Sequence, residues 1–330
     1  MKHKKTTSVR LFSMAVSLFL AACLLACSVS AMAASHVTTV VNLNSAPVAE
    51  NIECTTFRNV AVTDFFRALD PEGDSVTFSV TREPKKGVVT VDGDSFTYTP
   101  AEGKKGKDTF TYVATDSVGN LSPEATATIN IKKQSTKVMY SDMDSSDAWY
   151  EATVLAEEGI FVGEKLGNEY FFRPNQTVTR GEFLVMCMQM CDAELFEGVT
   201  RTGFYDDETI PMWQKPYVAT ALMGDLISGM KNETGRTVFN PEEPITFAEA
   251  TVMLNNALEI TNVSAESHGD ACPTWANQAV ANLSSCNILT SGSDGGTAAS
   301  MTRSDTANML CGAINVLKGR SDSSLLSWAK

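Results

Sequence analysis

The chain has 330 residues, 43% of them hydrophobic, with 26 basic against 39 acidic side chains and a formal net charge of −13. So acidic a surface repels nucleic acid and anionic lipid, and an anionic partner would need a local cationic site rather than the bulk field. The three histidines, His3, His36 and His268, supply no Ser-His-Asp or Cys-His centre and no His-ligated metal inside a domain body; no acid stands out from the turn chemistry as half of a carboxylate pair, and the chain reads as non-enzymatic.

Residues 1–33 read as a secretory signal. Lys2, Lys4, Lys5 and Arg10 precede an apolar stretch from Leu11 to Leu25, and Ala31-Met32-Ala33 is the small-x-small pattern of a cleavage site. A competing reading is Leu20-Ala21-Ala22-Cys23 as a lipoprotein box with Cys23 acylated. Cleavage after Ala33 removes four cations and no acid, leaving 22 basic against 39 acidic residues, a net charge of −17. No later run reaches the roughly 18 apolar residues of a membrane span.

Residues 34–133 predict an all-β sandwich. Val76, Phe78 and Val80 share a face, as do Phe96 and Tyr98, then Phe110, Tyr112 and Ala114, then Ala125, Ala127, Ile129 and Ile131, with Thr or Ser mostly between them. Asp92-Gly93 supplies a hairpin turn, and Asp70-Pro71-Glu72-Gly73-Asp74 another. From Ala46-Pro47-Val48-Ala49 through that turn to Asp108-Thr109-Phe110-Thr111-Tyr112, the segment resembles the bacterial Ig-like and cadherin-like repeats of surface proteins. The resemblance makes Asp70, Glu72, Asp74 and Asp116 candidate calcium ligands; the same residues are also what tight turns favour.

A polar linker, 134–139, leads into a helical repeat. The first copy, 140–197, contains Tyr140-Ser141-Asp142, Trp149, Gly159-Ile160, Phe172-Arg173-Pro174 and Val178-Thr179-Arg180-Gly181-Glu182. The second, 198–262, contains Phe204-Tyr205-Asp206, Trp213, Phe239-Asn240-Pro241 and Ile245-Thr246-Phe247-Ala248-Glu249. The third, 263–320, is degenerate: Asp270, Trp275, Asn287-Ile288-Leu289 and Met301-Thr302-Arg303-Ser304-Asp305, without Phe-x-Pro. Residues 321–330 form a tail. Each Thr-x-x-Glu or Thr-x-x-Asp predicts a capping box, and downstream the apolar positions keep one i, i+3, i+4, i+7 stripe, so three helical faces can close a bundle.

Six cysteines lie outside the signal. Cys187 and Cys191, four apart on a predicted helix, read as small buried apolar side chains; Cys286 and Cys311 fall on the two helices of one copy, and whether they bridge is left open by the sequence.

The order aromatic-x-Asp, Trp, Gly-Ile, Phe-x-Pro and Thr-Arg-x-Glu resembles three S-layer homology domains. The resemblance implies an all-α, threefold pseudo-symmetric bundle binding secondary cell-wall polysaccharide, often through a pyruvylated sugar. Its groove residues carry over to Arg180, Arg303, Asp142, Trp149, Thr179, Asp206, Trp213, Asp270, Trp275 and Thr302. Phe247 stands where the family has Arg, and the third copy lacks Phe-x-Pro, so at most two grooves suit an anionic sugar. The residues argue in the same direction, because Arg180 and Arg303 occupy a first helical turn where the macrodipole disfavours a cation. Either helix N-terminal amides and the Arg together take an anion, or each Arg pairs with a nearby acid. The tryptophans are expected to be mostly core with an exposed edge. The expected function is an exported surface protein held on the wall by its helical repeats, the β domain acting as spacer or adhesive module. A subunit of a surface array and a lipid-anchored protein are the alternatives.

Overall fold

The computed structural model describes residues 44–144, 146–261, 272–289 and 298–320. The expected signal, His268, Asp270 and the tail lie outside them.

Alternating side chains build the first half. Nine strands form it: β1 (Val48–Ala49), β2 (Ile52–Phe57), β3 (Val62–Phe65), β4 (Ala68–Leu69), β5 (Thr77–Arg82), β6 (Gly87–Asp92), β7 (Ser95–Pro100), β8 (Gly106–Thr115) and β9 (Ala125–Lys132). One sheet runs β2-β9-β8-β5, with β2 parallel to β9; the other runs β3-β7-β6, and β1 pairs with β4. Phe96, Tyr98, Phe110, Tyr112, Ala127 and Ile129 are fully buried between the sheets, as the alternation requires. Phe78 and Val80 are only half-buried because β5 is an edge strand, and Val76, just before it, is half-buried too. The β6–β7 hairpin closes through Gly93 at φ +59°, a conformation L side chains rarely adopt.

The linker is docked. Glu157 accepts hydrogen bonds from the amides and hydroxyls of Ser135 and Thr136, and the Phe57 ring at the end of β2 stacks on Tyr150 at 5.9 Å between centroids.

The second half carries helices α1 (Trp149–Glu157), α2 (Arg180–Met190), α3 (Lys215–Met223), α4 (Phe247–Leu258), α5 (Asn277–Ser285) and α6 (Arg303–Gly319). Helices α2, α4 and α6 each start at the expected capping box, with Thr179, Thr246 and Thr302 accepting the N3 amide and Glu182, Glu249 and Asp305 accepting the N-cap amide. Their stripes are buried as read: Phe183 and Cys187, Ala250 and Leu254, Thr306 and Leu310. Thr302→Ala is expected to lower unfolding free energy by about 1 kcal/mol in urea titration, since the Asp305 amide loses its capping acceptor.

The expectation of an all-α second half is corrected. Two short hairpins, β10 (Glu164–Leu166) with β11 (Glu169–Phe171) and β12 (Met230–Lys231) with β13 (Thr237–Val238), lie between the helices. Each sits between a helix-ending Gly-rich turn and Phe-x-Pro, a stretch too short and too Gly-interrupted for a helix, where pairing satisfies the backbone instead.

Three extended segments close a ring at the centre. The amide of Val178 donates to the Met301 carbonyl, Met301 to Ile245 and Ile245 to Val178, at 2.9, 2.9 and 3.0 Å. The same relation continues one step into the helices: Arg180 N donates to Glu243 O, Phe247 N to Ala299 O and Arg303 N to Gln176 O. Each helix start is thereby satisfied by a loop distant in the sequence.

The six described cysteines, Cys54, Cys187, Cys191, Cys272, Cys286 and Cys311, are all unbonded, so Cys286 and Cys311 do not bridge. Burial pushes the thiols of Cys54, Cys191 and Cys311 up to about 12, which leaves them protonated and unreactive.

Candidate functional site

The ring of backbone bonds decides what the helix N-termini can do. The first-turn amides of α2 are taken by Glu243 and Pro241 carbonyls, those of α6 by Gln176 and Pro174, and the third amide of each by its capping Thr. These amides are therefore not available to an anion, and that part of the expected site is corrected. Any recognition of negative charge falls to side chains.

Arg180 leaves α2 and reaches the second copy. Its Nη2 donates to Glu249 Oε1 at 2.5 Å and lies 3.3 Å from Met230 Sδ, while the buried Nε has no acceptor among the described residues. The side chain lines an open groove of about 550 Å³ together with Ser228, Lys231, Asn256 and Trp275. Trp275 is 58% exposed, so a large aromatic surface faces solvent beside two cations.

Arg303 makes the corresponding reach from α6 into the first copy, with a different outcome. Its Nη1 donates to the Phe172 carbonyl at 2.9 Å, its guanidinium lies 5.0 Å over the Phe161 ring, and Glu164 is its ion partner at 3.5 Å. Glu164 also pairs with Arg173 at 2.8 Å. The space here is about 10 Å³, walled by Phe161, Phe172, Glu182 and Met186. Where the first groove has Met230 in its hairpin, this one has Glu164; both arginines carry an ion partner, Glu249 for Arg180 and Glu164 for Arg303, and what differs is the open space beside the first. Phe247, the third equivalent, is buried in the core.

The remaining candidates have defined places. Asp142 accepts the amides of Phe172 and Arg173, and Asp206 those of Phe239 and Asn240. In both copies the middle residue of Phe-x-Pro, Arg173 or Asn240, has φ near +55°, and the Asp carboxylate is what pins that turn. Trp149 is half-buried against the core, while Trp213 is 59% exposed, so the expectation of tryptophans mostly in the core fails for Trp213 and Trp275. Asp270 lies outside the described residues. Sequence reasoning missed Lys231, Asn256 and the counter-ion Glu249; only Glu249 carried a signal, as the capping-box acid of the second copy.

The four calcium candidates do not converge. Asp70 Oδ1 accepts the amides of Glu72 and Asp74, Asp116 Oδ1 those of Val118, Gly119 and Asn120, and no three acidic or metal-ligating side chains gather among the described residues. Exchanging millimolar calcium for EDTA is expected to leave the melting temperature of the chain within about 1 °C by calorimetry.

The family model described as bacterial cadherin-like domain matches residues 44–133, and that of the S-layer homology domain matches 140–184 and 203–251. The chain thus carries a bacterial cadherin-like domain followed by S-layer homology repeats. Among curated relatives, it is 31% identical over 136 residues to an amylopullulanase of Thermoanaerobacterium thermosulfurigenes, covering 40% of this chain and 7% of that protein. It is 32% identical over 117 residues to a surface-layer 125 kDa protein of Lysinibacillus sphaericus, covering 34% of this chain and 9% of that protein. The chain therefore spans less than a tenth of the length of either relative. A solved endo-fucoidan hydrolase of glycoside hydrolase family 107 is 21% identical with a TM-score of 0.24, covering 29% of this chain and 14% of that one. Modules of the two matched kinds are non-catalytic and belong to the cell surface or cell wall. No helix among the described residues is long and apolar enough to cross a membrane.

Proposed function

We propose that the chain is held non-covalently on the cell wall by secondary cell-wall polysaccharide bound in the groove of Arg180, with the cadherin-like domain as a spacer or adhesive module and no catalytic role. Residues 140–197, 198–262 and 263–320 act as three S-layer homology copies about a pseudo-threefold axis, the third degenerate, after the 34–133 domain and the 134–139 linker. The observation that carries this reading is the open groove lined by two cations, Arg180 and Lys231, and by the exposed Trp275. A sugar acid such as a pyruvyl ketal would place its carboxylate on Arg180 and Lys231 and its ring on the indole. Thr179, Asp142 and Asp206 hold the groove walls rather than touch sugar. Thr302 fixes Arg303, which serves as a structural cation, and Trp149, Trp213 and Asp270 belong to the equivalent positions of each copy.

The test is co-sedimentation of the mature chain with purified wall sacculi before and after their non-peptidoglycan polymer is stripped. Pelleting with intact sacculi and not with stripped ones is expected. Equal pelleting with both would overturn the proposal.

A further inference from the structure

The cations of the cadherin-like domain are not scattered. The turn between β5 and β6 carries Lys85 and Lys86, the turn between β7 and β8 carries Lys104 and Lys105, and Arg58 and Lys132 follow β2 and end β9. Direct contacts join these segments. Lys86 Nζ donates to the Lys105 carbonyl at 3.1 Å, and Ala101 N, in the second turn, donates to Lys86 O. Gly103 N bonds Asn59 Oδ1 and Arg58 N bonds Lys132 O. The six cations therefore lie at one end of the sandwich, the end from which the chain leaves for the helical half.

Three acids of the domain share that end, and Glu157 of α1 approaches from the helical half, spent on Ser135 and Thr136. Asp108 is buried and spent on the amides of Lys85 and Lys86 and the Tyr98 hydroxyl. Glu83 and Glu102 are exposed in the same turns. None of the six cations makes an ion pair among the described residues. At the opposite end stand the acidic loops of Asp70, Asp74, Asp94 and Asp116. On a chain whose formal charge is −13, a segregated, unpaired cationic end is a departure from the bulk composition. A local field of this kind acts within the roughly 8 Å screening length of physiological salt, so it selects a partner that presents several anions close together rather than a single one.

We infer that the basic end of the cadherin-like domain, centred on Lys85, Lys86, Lys104 and Lys105, is a second contact for a polyanionic wall polymer bearing repeated phosphate or carboxylate groups. That such a polymer is within reach rests on the proposed wall attachment; the binding chemistry itself does not. The two contacts differ in kind: the Arg180 groove reads one sugar, whereas the lysines read charge density and release counter-ions, so only the second should weaken steeply with salt. Held together on one chain, they raise the effective concentration of the polymer at each other.

The experiment is equilibrium binding of the mature full chain to three fluorescent polymers at low and physiological salt: poly(glycerol phosphate), polyglutamate and neutral dextran. The expected result is binding to both anionic polymers, at least tenfold weaker at the higher salt, none to dextran, and at least a tenfold loss in a variant with Lys85, Lys86, Lys104 and Lys105 all changed to Gln. Binding to one anionic polymer alone would assign phosphate or carboxylate as the group read. Arg180→Ala is expected to bind these polymers as the parent does. A quadruple variant that melts like the parent and still binds as well as the parent overturns the inference. So does polymer binding lost in Arg180→Ala and kept in the lysine variant, although that result leaves the groove reading standing. Lysine-dependent polymer binding by a chain that fails to pellet with sacculi retains the inference and removes the anchoring proposal. Lysine-dependent self-association without polymer uptake overturns it in favour of a contact between copies. Should the quadruple variant not fold, Lys104→Gln with Lys105→Gln, both on an exposed turn, gives the same readout with an expected loss of about threefold.

Discussion

Arg180→Ala is expected to weaken binding to isolated wall polysaccharide at least tenfold, while Arg303→Ala leaves affinity within about twofold and lowers stability by about 2 kcal/mol. The two residues hold the same sequence position in their copies and the same place in a capped helix. Their surroundings differ. Arg180 lines an open groove together with Lys231 and Trp275, so a ligand carboxylate seated there meets its charge. Arg303 is 7% exposed, and its contacts to the Phe172 carbonyl, the Phe161 face and Glu164 are all internal. Removing it strands the Phe172 carbonyl and takes from Glu164 one of its two cationic partners, which is a stability cost and not an affinity cost. Arg180→Ala also leaves Glu249 without its partner, so affinity is compared at a temperature where circular dichroism shows both variants folded. Parent-like affinity of folded Arg180→Ala would reduce that residue to an ion-pair partner of Glu249.

Raising the pH from about 4.5 to about 7 is expected to remove about 3 kcal/mol of unfolding free energy through one residue, Glu151, and Glu151→Gln should abolish that component. Glu151 lies in the first turn of α1. Burial pushes its carboxyl up to about 7, reinforced by Asp147, and its Oε2 has no hydrogen-bond partner among the described residues. Cys54 on β2, Tyr150 on α1 and Cys311 on α6 feel the same carboxyl. The sign follows from the folded value lying above the unfolded one. The folded state keeps the proton, so the contribution is fully present below about 4.5 and is lost as pH rises through about 7. Urea titrations of parent and Glu151→Gln across that range should converge at low pH and diverge at high pH, with the variant the more stable above 7. Parallel curves would show that Glu151 ionises in the folded state as it does in the unfolded one.

Much of this architecture was legible because its signals are short-range. A capping box spans four residues and an apolar stripe eight, so Thr179, Thr246 and Thr302 announced three helix starts, and the buried Phe183, Ala250 and Thr306 faces followed from spacing alone. The strands of the sandwich were read from alternation for the same reason, with Phe96, Tyr98, Phe110 and Tyr112 in the places their parity gave them. The hairpins between the helices were not, because two or three residues per strand carry too little alternation to register against Gly-rich turns.

The groove was legible only in part, and the reason is one of distance along the chain. Sequence determined that an arginine would open α2 and another α6, and that Phe247 would take the equivalent place in α4. Tertiary structure decided which arginine borders an open groove. The deciding residues are Met230, 50 positions from Arg180, and Glu164, 139 positions from Arg303. The ring of backbone bonds also consumed the helix amides that a helix N-terminus would otherwise offer. Local patterning fixes where a side chain starts, because capping and periodicity act within a turn or two. What that side chain can do depends on the neighbour it is packed against, and that neighbour is set by closure of the whole bundle.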